Sequence, residues 1–187
     1  MFELSQKNQW LVGGILLLAM LITRGHVTDH LLDASWAVFF LAGFYLRNIL
    51  AFGAFMAVAV AVDYVGITKF GVSDFCVSQA YVALVPAYGA LFIAGRWFAG
   101  QYQGETLASL SKLMLAVVLG FVACELISSG SFYFLSGKFA ELSMAEFGSR
   151  LVKYAPHGLY VTGLYVTVGT FVHVAVSMVN RSLARSK

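Results

Sequence analysis

Long apolar runs separated by short polar breaks organise this chain. The first covers residues 8–23, opening after Lys7 and closing before Arg24 and Gly25. The stretch from Ala34 to Gly66 is too long for one ordinary crossing. Arg47 and Asn48 interrupt it, dividing it into a short run at 31–45 and a full one at 48–66. Three more follow at 80–97, 107–128 and 157–179. Roughly 20 apolar residues in a helix cross ~30 Å of hydrocarbon, and a helix satisfies its own backbone groups where lipid offers no partner. The pattern predicts an all-α integral membrane protein, a six-transmembrane-helix bundle forming a single domain over residues 1–187. Were Arg47 inside one long tilted helix, five crossings would remain. The first run follows Glu3 and Lys7 without an A-x-A cleavage site, so it reads as a retained helix.

Before the last run the period changes. Ala140, Met144, Phe147, Leu151 and Tyr154 recur at steps of three and four, with Glu141, Glu146, Arg150 and Lys153 on other faces. That spacing predicts a short amphipathic helix lying on the membrane interface. Composition agrees with the spans: 60% of residues are hydrophobic, 11% are charged and mean hydropathy is +0.82, where soluble domains carry about a quarter charged residues. A net charge of +3, dispersed along the chain, gives no nucleic-acid footprint. Six crossings put Lys7, Arg47, Arg96, Lys112, Arg181, Arg185 and Lys187 on one side, against Arg24, Lys69, Lys138, Arg150 and Lys153 on the other. The excess places both termini in the cytoplasm, and His26, His30, Cys76 and the amphipathic segment outside.

Small residues every fourth position suggest close helix packing: Gly53, Ala57 and Ala61; Ala90 and Ala94; Ala116, Gly120 and Cys124. Cys124 is explained by that stripe and is not a site residue. Asp63 and Glu125 are carboxylates in or near apolar runs, which makes them functional candidates unless a cap or a neighbouring helix pairs them. Cys76 lies in the Lys69–Ala80 loop with no evident disulfide partner, either an incidental small residue or a soft metal ligand. His26 and His30 are four apart, beside Asp29 and Asp33, and one helical face could present both as ligands; hydrated interfacial histidines are the plainer alternative. His173, with Thr170 and Ser177 on a similar face, reads as a packing histidine. Tyr81, Tyr88, Trp36 and Trp97 fit an aromatic belt. No nucleophile elbow, phosphate-binding loop, zinc-protease motif or dinucleotide fingerprint is present.

The string His30-Leu-Leu-Asp-Ala-Ser-Trp-Ala-Val-Phe-Phe-Leu-Ala-Gly-Phe-Tyr-Leu-Arg47 resembles the BtuM family of small bacterial cobalamin transporters. So do Gly71-Val-Ser-Asp-Phe-Cys76, Tyr81, Pro86-Ala-Tyr-Gly-Ala, and Ala94-Gly-Arg96-Trp97. The likeness covers residues 25–97; beyond them only hydropathy and length match. It implies a fold similar to the substrate-binding S-components of energy-coupling-factor transporters, in the bacterial inner membrane. It also implies cobalamin as the bound substrate at the outer face, with no independent metal or nucleotide. The family's cobalt-ligating cysteine falls on Cys76, its aspartate on Asp63 and its tyrosine on Tyr81. Its histidine falls on His26, or alternatively His30, and its arginine on Arg150. A thiolate on cobalt would also weaken the opposite axial bond, giving Cys76 a role in removing cyanide. The first run departs from the A-x-x-x-A pattern of components that dock a shared energising module, having Gly13, Gly14 and a single Ala19. That argues against such a partner.

Two other classes compete. A haem-binding membrane anchor of an oxidoreductase would pair His26 or His30 with His173 as axial ligands. A structural membrane subunit would bind no small ligand and tolerate change at Cys76.

Overall fold

A computed structural model describes residues 5–24, 32–74 and 78–185. The described residues form six α-helices and no strand. These are α1 (Gln6–Arg24), α2 (Ser35–Tyr45), α3 (Ile49–Phe70), α4 (Leu84–Gln101), α5 (Leu107–Leu135) and α6 (Met144–Arg185), with a short 3-10 turn, Gln79–Ala83, leading into α4. Four stretches are long and apolar enough to cross a membrane: α3, Gln79–Gln101, α5 and α6. Large side chains such as Trp10, Leu50, Met114 and Phe171 face outward. Apolar surface on this scale belongs in lipid rather than water. The chain is a helical membrane protein.

Local chemistry sets the breaks. Arg47 takes a left-handed backbone (φ 57°) between α2 and α3, and its guanidinium donates to the Ala99 carbonyl (3.1 Å). The Asn48 side chain then accepts from the Leu50 N–H (2.9 Å), capping α3. The interruption expected at these two residues therefore falls between two helices. α3 runs on to Phe70, where Gly71 is left-handed and the Val72 N–H returns to the Gly66 carbonyl (3.1 Å). Thr106 caps α5 by accepting from the Ser109 N–H (3.1 Å).

The helices alternate in direction. One end of the bundle, here the Arg24 end, gathers the close of α1, α3 and α5 with the starts of α2, α4 and α6. The other, the Arg181 end, gathers the remaining termini. α4 is central, packed chiefly against α5 and α2. A Cβ on Gly43 would lie 2.0 Å from the Phe92 carbonyl oxygen, and one on Gly95 would lie 1.9 Å from that of Phe40. α2 and α4 thus touch backbone to backbone, which only glycine permits. On α5, Ala116, Gly120 and Cys124 are buried as a stripe, and a Cβ on Gly120 would lie 2.8 Å from the Ala94 Cβ.

Two expectations need correction. Gly53, Ala57 and Ala61 face outward on α3; the packed face carries Phe55, Ala59 and Gly66. Aromatic rings hold α3 off its neighbours: Phe39 meets Phe52 and Phe55 at 5.7 and 6.2 Å, and Phe52 meets Phe92 at 5.4 Å. The amphipathic segment before the last run is no separate helix. It forms the opening turns of α6, which runs without a break through Pro156. Of its apolar positions Phe147 finds protein, stacking on Tyr133 of α5 at 5.6 Å, whereas Ala140, Met144 and Tyr154 are exposed.

These contacts separate two glycines on neighbouring helices. Gly95→Ala forces α2 and α4 apart and should cost about 1–3 kcal/mol or more. Gly53→Ala, facing outward, should be neutral or stabilising by up to about 1 kcal/mol. Thermal unfolding in detergent, followed by circular dichroism, reads both; equal shifts would contradict the close α2–α4 approach.

Candidate functional site

At the Arg24 end an ion pair joins helices distant in sequence. Arg24 closes α1. Its Nε and Nη2 donate to the two carboxylate oxygens of Asp63 on α3, both at 2.7 Å. This two-point geometry is the strongest arrangement of the pair. Nη1 donates to the Tyr88 hydroxyl of α4 (2.9 Å) and to Ser35 Oγ of α2 (3.1 Å), and lies 3.5 Å from Asp33 Oδ2. The Tyr81 hydroxyl donates to Asp63 Oδ2 at 2.7 Å. The Arg24 side chain is 10% exposed, that of Asp63 23% and that of Asp33 45%. The guanidinium is therefore enclosed, Asp63 is partly covered with both oxygens engaged, and Asp33 is the most exposed of the three.

Each partner is positioned locally. Asp33 accepts from the Ser35 N–H (2.9 Å) and hydroxyl (2.5 Å), fixing the start of α2. Thr23 Oγ1 accepts from the Ala34 N–H (3.1 Å), tying α1 to α2. Tyr88 stacks on Phe39 at 4.5 Å and is 3% exposed. The Ser78 hydroxyl accepts from the Ala80 N–H (3.3 Å), shaping the turn that presents Tyr81. The Tyr165 hydroxyl of α6 donates to the Leu32 carbonyl (2.7 Å).

Asp63 and Tyr81, both singled out in the sequence, therefore meet directly. Arg150 is not among their partners. It pairs with Glu146 one turn earlier (3.0 and 2.7 Å) and lies 4.6 Å over the Phe139 ring, in the α5–α6 hairpin. His26, His30 and Cys76 lie outside the described residues. Arg24 and Tyr88 were missed as site residues. In the sequence Arg24 counts only among the flanking cations, and Tyr88 fits an aromatic belt. A cation closing one apolar run and a carboxylate near the same-side end of another was the available signal. Glu125 accepts from Ser129 of its own helix (2.6 Å). Cys124 is fully buried. Among the described residues, no three of His, Cys, Asp and Glu are grouped to hold a metal ion.

A second polar group occupies the Arg181 end. His173 of α6 has its Nδ1 3.1 Å from the Tyr45 hydroxyl and its Nε2 2.9 Å from that of Tyr102. Tyr102 donates to Glu105 (3.3 Å), which pairs with Arg181. A hydrogen bond from Ser177, together with Arg181, holds the Glu105 carboxyl down at about 2. Its charge thus persists through the ordinary carboxyl range, and the stability it contributes is fully present above that range and lost as pH falls from it toward about 2. Desolvation, with Glu105 nearby, pushes the Tyr102 phenol up to about 12. A haem iron would need one of the His173 nitrogens, and both already face tyrosine hydroxyls.

Removing one member of the Arg24–Asp63 pair strands the other. Arg24→Met and Asp63→Leu should each cost about 3–5 kcal/mol. The double variant should cost less than the sum, because it leaves no orphan charge. Unfolding midpoints of the three variants check this; additive losses would mean that the two side chains are not coupled.

No protein-family model matches this chain, and no curated protein matches it.

Proposed function

We propose that this protein is a cobalamin uptake transporter of the bacterial inner membrane that holds its corrinoid at the Arg24 end. The observation that carries this reading is the meeting of Asp63 and Tyr81. These two residues were assigned to the ligand site from the resemblance, they sit on different elements, and their oxygens are 2.7 Å apart. Arg24, which completes the group, directly precedes the 25–31 segment bearing His26 and His30. The turn presenting Tyr81 begins just after the segment bearing Cys76.

In this reading all six helices cross the membrane. At 1.5 Å per residue, the 19 residues of α1 extend about 28 Å, close to the hydrocarbon thickness. α2 has only 11 residues, but all except Trp36, Leu41 and Tyr45 are buried, so neighbours rather than lipid meet most of its surface. The basic excess at the Arg181 end orients that end and both termini to the cytoplasm. The Arg24 end then faces outward, where cargo arrives.

The chemistry suits a large amphipathic cargo with one metal centre. The exposed Asp33 carboxylate, and the lone pairs left on Asp63, accept from amides at the corrin edge, with Tyr81 beside them. His26 or His30, and Arg150, supply further polar contacts. The Cys76 thiolate displaces the nitrogen base from one axial face of the six-coordinate cobalt, donating an electron pair as the Co–S bond forms while the Co–N pair returns to the base. The opposite axial bond weakens, and cyanide leaves with the Co–C bonding pair; no redox partner is needed. The first helix lacks the A-x-x-x-A pattern, which argues against docking of the shared energising module and leaves transport solitary or coupled to another partner.

Mixing purified protein with cyanocobalamin should change the corrinoid visible spectrum, and Cys76→Ser should abolish the change. The wild type should also restore growth to a cobalamin-dependent strain lacking its own inner-membrane importer, whereas Cys76→Ala should not. A wild type that leaves the spectrum unaltered and growth unrestored would overturn the reading.

A further inference from the structure

The Arg181 end holds a half-open cavity of about 770 Å³, lined by α2, the close of α4, the first half of α5 and α6. That volume lies within the ~300–1,000 Å³ typical of small-molecule sites. Its walls are apolar: Phe40 and Phe44 from α2, Phe98 from α4, Leu113 and Val117 from α5, Val166 from α6. Polar groups concentrate where Tyr45, Tyr102, Glu105 and His173 come together. An apolar chamber with one hydrogen-bonding end matches a molecule that has a hydrocarbon tail and a single polar head.

Two further observations narrow the class. Glu105 and Arg181 neutralise one another at the polar end, so a charged head would meet no uncompensated opposite charge and would lose its hydration. The head is therefore uncharged, and the lone pairs left on the tyrosine oxygens and on the Glu105 carboxylate accept from a hydroxyl-bearing one. Access is lateral. Leu159, Gly163 and Thr167 line both the cavity and a shallower recess along α6 with Pro156, Tyr160 and Leu164. A Cβ on Gly163 would meet nothing within 4 Å, so the shared wall has a gap on α6 between the Leu159 and Thr167 side chains.

We infer that the bundle carries a second binding site, between α2, α5 and α6, for an uncharged hydroxyl-headed amphiphile entering from the lipid side. Its tail lies among Phe44, Leu113, Val117 and Val166, with its head beside Tyr45, Tyr102 and Glu105. The site is at the opposite end from the Arg24 group and stands independently of the cargo proposed there.

A monoacylglycerol bearing a mid-chain diazirine, added to the full-length protein in phosphatidylcholine vesicles, tests this. After illumination and peptide mapping, label should concentrate on the cavity faces of α5 and α6. Val166→Trp, which fills the chamber, should cut that label by about tenfold while leaving label at outward-facing Leu50 and Val60 unchanged. Leu113→Phe narrows the same space from α5 by a smaller change, so the result does not hang on one variant folding. A phosphatidylglycerol-headed analogue should label the cavity less than the neutral probe. Label spread evenly over cavity and outward positions and indifferent to both substitutions would mean bulk lipid only and overturn the site. Stronger cavity labelling by the anionic probe would overturn the assigned head chemistry.

Discussion

An arginine enclosed at the end of an apolar bundle needs a partner, and the Arg24–Asp63 pair satisfies that need at a point where five elements converge. α1 buries only Leu16 and Met20, and α3 only Phe55, Ala59 and Gly66. Lipid matches the apolarity of such helices, so apolar burial alone gives little drive to associate them. The pair supplies a directional tie between α1 and α3. Tyr88 and Ser35 extend it to α4 and α2, and Tyr81 extends it to the turn before α4. An ion pair of this kind contributes less to net stability than to fixing one arrangement, since its members are costly only when separated.

Behind that tie stands a rigid pair of helices. Gly43 and Gly95 bring α2 and α4 into backbone contact, and Gly120 brings α5 against α4. The orientation of Tyr88 and the start of α2 are thereby set by backbone contact. α6 differs: its few buried side chains include Val161, Thr162 and Val166, and polar contacts of His173 and Arg181 secure it at the far end. The cavity lies where this helix leaves space beside α2 and α5. The two ends of the molecule thus have different physics, one a closed ionic group and the other an apolar chamber with a polar rim.

The legible parts of this architecture were those governed by single residues. Arg47 and Asn48 announced the α2–α3 break, because a cation and a good N-cap inside an apolar run have few other uses. The Ala116, Gly120 and Cys124 stripe predicted its buried face. Its counterpart on α3 misled, because spacing identifies a face but not what it meets, and the Phe39–Phe52–Phe55 cluster turns a different face inward. Continuity of α6 through Pro156 was also hidden: a change of amphipathic period resembles a helix boundary, and Phe147 of that face finds its partner on α5. Arg24 was overlooked because a terminal cation looks alike whether it meets headgroups or a carboxylate on another helix. Only the tertiary fold distinguishes them.

The central claim is that cargo is held at the Arg24 end, with cobalt on the sulfur of Cys76. The most direct measurement is anomalous diffraction at the cobalt absorption edge from crystals of the cobalamin complex. The account predicts one cobalt peak bonded to the Cys76 sulfur, on the side of the bundle carrying Asp63 and Tyr81. A cobalt peak in the chamber beside His173, or one at the Arg24 end without contact to Cys76, would contradict it.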